Sequence, residues 1–131
     1  MLDSTSSASE LQQIRELAAP WGNIVARRAF GDHGPGLQVN LTTLEAVAQA
    51  AAAGLLESTL ALLLEQQAQA LGPTHSCPDC GRDCLVRREP RLLQVDGGHQ
   101  LRYAEPICSC PGCRRDFFPS AAAVAAGRPR L

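Results

Sequence analysis

Cys77-Pro78-Asp79-Cys80 and Cys110-Pro111-Gly112-Cys113 are the two stretches of this chain whose residue types and spacing could do chemistry. Two residues between paired cysteines let a tight turn aim both sulfurs at one point, and two such turns supply the four thiolates that a tetrahedral Zn2+ ion requires. Pro and Gly inside the turns, and Gly81 just after the first, suit the bent backbone of such a knuckle. The pair therefore reads as one zinc ribbon with Cys77, Cys80, Cys110 and Cys113 as its ligands. Because all four donors are protein sulfurs, no coordination position stays open for water or substrate. The expected metal is structural, no residue is assigned a catalytic role, and neither enzyme activity nor a small-molecule substrate is expected.

Paired cysteines have two other common uses. A redox Cys-x-x-Cys would open a helix within a βαβ pattern, and a disulfide framework calls for a secreted chain; neither context is present. His75, two residues before Cys77, competes poorly as a ligand beside four well-spaced cysteines. Cys84 follows the first knuckle and Cys108 precedes the second, so antiparallel strands would bring them near one another. They read as two small buried hydrophobes, the alternative being a shuffled ligand set that uses Cys108.

The elements that must position these residues give an α+β chain: N-terminal helices, then a small three-stranded antiparallel zinc ribbon. Residues 1–9 are expected to be disordered, 10–72 to form a helical arm, 73–120 the ribbon and 121–131 a short tail. A helix from Ser9, with Leu11, Ile14, Leu17 and Ala18 at helical spacing, ends or kinks at Pro20, and Trp21, Ile24 and Val25 continue an apolar face. Gly31 to Gly36 is a loop. Thr42-Thr43-Leu44-Glu45 has the form of a capping box, and the long helix it opens, about 43–71, stops at Gly72-Pro73. Its leucines cover more than half of the circumference, so it wants partners on two sides; a homodimer through residues 44–71 is expected.

Twenty-nine residues separate Cys80 from Cys110, which leaves room for strands at 84–88, 91–95 and 100–104. The last two would join at Asp96-Gly97-Gly98-His99, a hairpin signal. In that arrangement Leu93, Val95, Leu101 and Tyr103 face inward and Arg102 faces water. A ribbon this small has little core, so metal should supply most of its folding free energy, on the order of 10 kcal/mol.

The net charge of −1 divides unevenly. Residues 1–72 hold three arginines against seven acids and residues 73–131 nine against six, so the cysteine-bearing half is the basic one. Every basic side chain is arginine, a good fork for phosphate oxygens. Arg87, Arg88, Arg91, Arg102, Arg114 and Arg115 flank the predicted sheet and are the candidate nucleic-acid contacts, although the half falls short of the charge of a dedicated nucleic-acid binder. The N-terminus lacks the basic start and apolar run of a secretory signal, and the longest uninterrupted apolar run, Ala50 to Leu56, is too short to cross a bilayer. The expectation is a cytoplasmic protein with no membrane association.

The leucine- and alanine-rich helix, Cys-Pro-Asp-Cys-Gly at 77–81, the Arg-rich strands, Tyr103 and then Cys-Pro-Gly-Cys-Arg-Arg-Asp-Phe-Phe-Pro at 110–119 together resemble the N-terminal region of bacterial insertion-sequence transposases of the ISKra group. The likeness spans roughly residues 40–126, and the second knuckle with its Phe-Phe-Pro tail is the most specific part. In that family a helical segment and zinc ribbon precede an RNase H-like domain with an acidic triad. This chain departs by inserting 104–109 between Tyr103 and Cys110, and none of its acids can be assigned to the triad. The resemblance implies a DNA-binding module for transposon ends without the strand-cutting domain. The alternative is a helical oligomerisation module, or a transposase-derived remnant or regulator, with a purely structural ribbon.

Overall fold

A computed structural model describes residues 7–119. The element order is α1 (Ala8–Ala18), α2 (Trp21–Phe30), α3 (Leu41–Gln69), β1 (Thr74–Ser76), β2 (Asp83–Val95), β3 (His99–Cys110) and β4 (Arg115–Phe117). The chain is thus α+β, with helices followed by an antiparallel sheet in the order β1-β2-β3-β4. It falls into two compact units that divide between Gly54 and Leu55, inside α3 rather than after it. The expected tail at 121–131 and most of the expected disordered N-terminus lie outside the described residues.

The first unit holds α1, α2 and the start of α3. Ser7 caps α1, accepting the Glu10 N–H at 3.2 Å while its own hydroxyl donates to the Glu10 carboxylate. The cap is therefore Ser7 rather than Ser9, because Ser7 has the glutamate three positions on that a capping box needs. Pro20 separates α1 from α2, as its missing N–H and ring dictate. Helix α3 is capped by Asn40, whose Oδ1 accepts the Thr43 N–H at 2.9 Å. Asn is as good an N-cap as Ser or Asp, and it displaces the expected Thr42 box by two residues.

Four strands, not three, build the sheet of the second unit. The expected strands at 84–88 and 91–95 are one continuous β2, because Pro90 does not break it. Pro90 lies opposite Ala104, beyond the three positions where β1 pairs with β2. On that stretch β2 has a neighbour on one side only, so a residue without an N–H is tolerated. Pro106 sits two rungs along, opposite Arg88 and short of the β4 pairing, on the same terms. Residues 104–109, which depart from the resembled family, are simply the continuation of β3. The ladder from Val86↔Cys108 to Val95↔His99 closes on the 96–98 turn, where Gly97 and Gly98 both have positive φ.

β1 and β4 escape sequence reading because each is three residues of mixed polarity, made into strands by the turns beside them. Each cysteine turn is the bend of a hairpin: 77–82 joins β1 to β2, and 111–114 joins β3 to β4. Along β2 and β3 the inward set is as expected, with Leu101 buried, Leu93, Val95 and Tyr103 half-buried and Arg102 exposed.

Within this unit the C-terminal half of α3 buries Leu64 and Ala68 and brings two carboxylates to the sheet. The Arg88 guanidinium holds the Glu65 carboxylate with both nitrogens, at 2.6 and 3.4 Å, and His99 lies 3.9 Å from Glu57. Helix α3 is also long and apolar enough to cross a membrane by length and composition alone, with a mean hydropathy of 1.6 over its best 18 residues. That property was hidden from a search for uninterrupted apolar runs, since the Gln, Ser and Thr between the alanines and leucines interrupt a run without lowering the average much.

Candidate metal centre

The two cysteine turns are built alike. In the first, the Gly81 N–H donates to the Cys77 carbonyl at 2.9 Å; in the second, the Arg114 N–H donates to the Cys110 carbonyl at 2.8 Å. Gly81 and Arg114 occupy the equivalent place, four residues after the leading cysteine, and both have left-handed backbone, φ 77° and 56°. The first turn is tied to its hairpin by the Cys77 N–H on the Arg82 carbonyl at 2.8 Å.

The hairpins bring the turns together. The sulfurs of Cys77, Cys80, Cys110 and Cys113 all lie within 4.8 Å of one another and could hold a metal ion. Cys80 Sγ is 3.4 Å from Cys110 Sγ, and Cys77 Sγ is 3.9 Å from Cys113 Sγ. A tetrahedron with Zn–S bonds of about 2.3 Å has S···S edges of about 3.8 Å, so the donor set fits zinc in type, number and spread. Cys77 and Cys110 are buried, Cys113 is half-buried and Cys80 is exposed. The pocket thus opens toward solvent at Cys80.

Protons are unevenly shared among the thiols. The Cys113 N–H, 3.3 Å from Cys110 Sγ, holds the Cys110 thiol down to about 6, with the neighbouring Cys80 thiol helping against burial. The Cys113 thiol, beside Cys80 and then burial, is pushed up to about 12.

Cys84 and Cys108 are almost completely buried and form one apolar cluster with Cys77, Cys110 and Phe117. Burial pushes the Cys84 thiol up to about 11 and raises that of Cys108 as well. Both behave as small hydrophobes at the floor of the site, and Cys84 donates its S–H to the Arg82 carbonyl at 3.4 Å. His75 packs its ring on Phe117, with centroids 6.2 Å apart, instead of joining the sulfurs. Phe117 and Pro119 are buried, and Phe118 half-buried, along this edge.

The candidate phosphate-binding arginines divide into two groups. Arg87 donates to Ser109 and pairs with Glu89 and Asp116 at 3.4 and 3.7 Å. Arg88 is on Glu65, Arg91 on Glu89 and Glu105, and Arg115 on Asp79 at 2.6 Å. Arg102 and Arg114 are exposed and have no carboxylate within ion-pair reach among the described residues.

Sequence reading missed two residues. Glu105 is 1% exposed, accepts the Tyr103 hydroxyl at 2.9 Å and lies 3.3 Å from the Arg91 Nε. Arg82 lays its guanidinium over Gly112 of the other turn. Neither carries a local signal, since both depend on which strands become neighbours.

No protein-family model, curated protein or solved structure matches the chain.

Proposed function

We propose that this chain is a non-catalytic zinc ribbon with Zn2+ held by Cys77, Cys80, Cys110 and Cys113, and that the ribbon braces a long helix for pairing with a second copy. The observation that carries the first part is the convergence of four sulfurs within 4.8 Å from two turns thirty residues apart. When bound, the ion supplies a structural crosslink between the hairpins and no reaction chemistry. Purified protein should contain one zinc per chain. Serine at any of the four ligands should lower that content, and Cys84→Ala or Cys108→Ala should not. A metal-free wild type with intact thiols would overturn the reading.

The pairing role rests on the face that α3 turns away from the sheet. The helix has only three charged residues, Glu45, Glu57 and Glu65, and the last two are occupied by His99 and Arg88. Leu55, Leu56, Leu62 and Leu63 are left exposed on the second unit. A bilayer is the less fitting occupant. Residues 55–69 are committed to a polar sheet, and the fourteen before them rise only about 21 Å, short of the roughly 30 Å hydrocarbon core. Leu60, half-buried on the sheet side, is a poor probe; Leu62→Asp should halve the light-scattering mass while zinc content holds. A one-chain mass for the wild type, or its flotation with phosphatidylcholine vesicles, would count against pairing.

A second reading, DNA-end recognition in a transposase-like protein, is favoured by Arg102 and Arg114, which are exposed and have no ion-pair partner among the described residues. With the other four candidates neutralised on the protein itself, phosphate contacts would be few. About 0.9 counterions are released per phosphate, so two contacts give a log–log salt slope near −2. No mobility shift of any duplex at low salt would exclude this reading.

A further inference from the structure

We infer that Arg82 and the Asp79–Arg115 pair are the outer sphere of the metal centre, clasping the two cysteine turns together independently of the sulfurs. The inference rests on the metal reading of the four cysteines.

Each clasp joins one turn to the other. Asp79 lies between Cys77 and Cys80, and Arg115 follows Cys113 by two residues; the Arg115 Nη2 donates to the Asp79 carboxylate at 2.6 Å. Arg82 leaves the end of the first turn, where its carbonyl accepts both the Cys77 N–H and the Cys84 S–H. Its side chain then crosses to the second turn. There Nη1, Cζ and Nε come to 3.1, 3.2 and 3.3 Å of the point where a Cβ on Gly112 would stand.

That contact gives Gly112 a role its backbone does not explain. Gly112 is absent from the residues with positive φ, so an alanine would meet no conformational penalty there. The three atoms nearest its missing Cβ all belong to the Arg82 side chain. The glycine is a seat for the guanidinium, not a requirement of the turn.

The reason for such a seat is electrostatic. Four thiolates around a divalent ion leave two negative charges in excess. Cys80, the exposed sulfur, is the natural first to leave. A cation laid across the Cys110–Cys113 turn offsets the excess charge, and the Asp79–Arg115 bridge keeps the turn bearing Cys80 from swinging away. Outer-sphere groups of this kind orient and tune first-sphere ligands.

The test is the rate at which the zinc-loaded full chain surrenders its metal to excess 4-(2-pyridylazo)resorcinol, followed by absorbance. Removing an outer-sphere partner typically costs about 10- to 100-fold in metal affinity; for the exposed Arg82 the lower end applies, so Arg82→Gln should speed release about tenfold. Gly112→Ala should do the same by unseating the guanidinium, and the double variant should be no faster than either single one. Asp79→Asn and Arg115→Gln should each speed release about two- to fivefold, in keeping with an exposed ion pair. The reversed pair Asp79→Arg with Arg115→Asp should restore part of the wild-type rate. With zinc in excess every variant should still bind one zinc per chain, so that faster release is not a failure to fold. Wild-type release rates in Arg82→Gln and Asp79→Asn, or additive effects of Arg82→Gln and Gly112→Ala, would overturn the inference. A wild type that never holds zinc would instead overturn the metal reading beneath it.

Discussion

The sharpest energetic test of the sheet lies at Arg91. Two acids, Glu89 and Glu105, face one another across β2 and β3, an arrangement that is destabilising unless a cation stands between them. Arg91 is that cation, 2.9 Å from Glu89 and 3.3 Å from Glu105. The shorter contact is a hydrogen bond, and the longer is a charge contact without hydrogen-bond alignment. Glu105 is almost fully buried, whereas a third of the Arg91 side chain is exposed. The two partners should therefore answer unequally to removal. Arg91→Met takes the cation away from a buried carboxylate that faces a second acid, a change in the class that costs about 3–5 kcal/mol.

Glu105→Gln keeps an acceptor for the Tyr103 hydroxyl and relieves the repulsion with Glu89. The guanidinium it leaves behind retains Glu89 and water, so the loss should be about 1 kcal/mol, within the range of one ordinary hydrogen bond. The double variant should lie near the Glu105→Gln value, giving a coupling of about 3 kcal/mol or more, at or above the upper end for residues in contact. Urea unfolding of the zinc-loaded protein, analysed as a double-mutant cycle, measures all three. If Arg91→Met proves no more harmful than Glu105→Gln, the claim that burial of the carboxylate sets the energetics is refuted.

Other expectations follow from the turns and from the helix. Arg114 holds a left-handed φ of 56° where the first turn has Gly81. Arg114→Gly should raise the unfolding midpoint of the zinc-loaded protein, because a non-glycine residue there costs about 1–2 kcal/mol, more than the added freedom of the unfolded chain takes back. Gly81→Ala should lower the midpoint for the same reason. The hydrogen bond from Arg88, ahead of the other influences on it, holds the Glu65 carboxyl below its ordinary value of 4.5. The stabilisation it brings is thus fully present above that ordinary value and is lost as pH falls through the lowered folded one. Glu65→Gln should flatten the acid limb of the stability curve below about pH 4.5 and leave neutral zinc content unchanged.

Local chemistry made the four clustered cysteines legible. Cys-Pro-x-Cys repeats carry their own turn, and four sulfurs have few other uses, so their convergence could be read before any strand was placed. The inward set Leu93, Val95, Leu101 and Tyr103 was legible for a similar reason, since alternation along a strand is a local pattern. Helix α3 was legible in extent, and its cap was misplaced only because Asn40 and Thr42 are both competent.

What the tertiary structure decided is everything that depends on a neighbour. Pro90 looks like a strand breaker until β1 proves too short to need its N–H. Thr74–Ser76 and Arg115–Phe117 become strands only because the cysteine turns fold them back. The arginines looked like one basic face, yet Arg87, Arg88, Arg91 and Arg115 each pair with at least one carboxylate that folding brings from another element. Gly112 reads as turn chemistry and serves as a seat for Arg82. Spacing along a chain specifies bond geometry over a few residues, but whether a charge or a missing Cβ is used is settled by the groups that folding sets beside it.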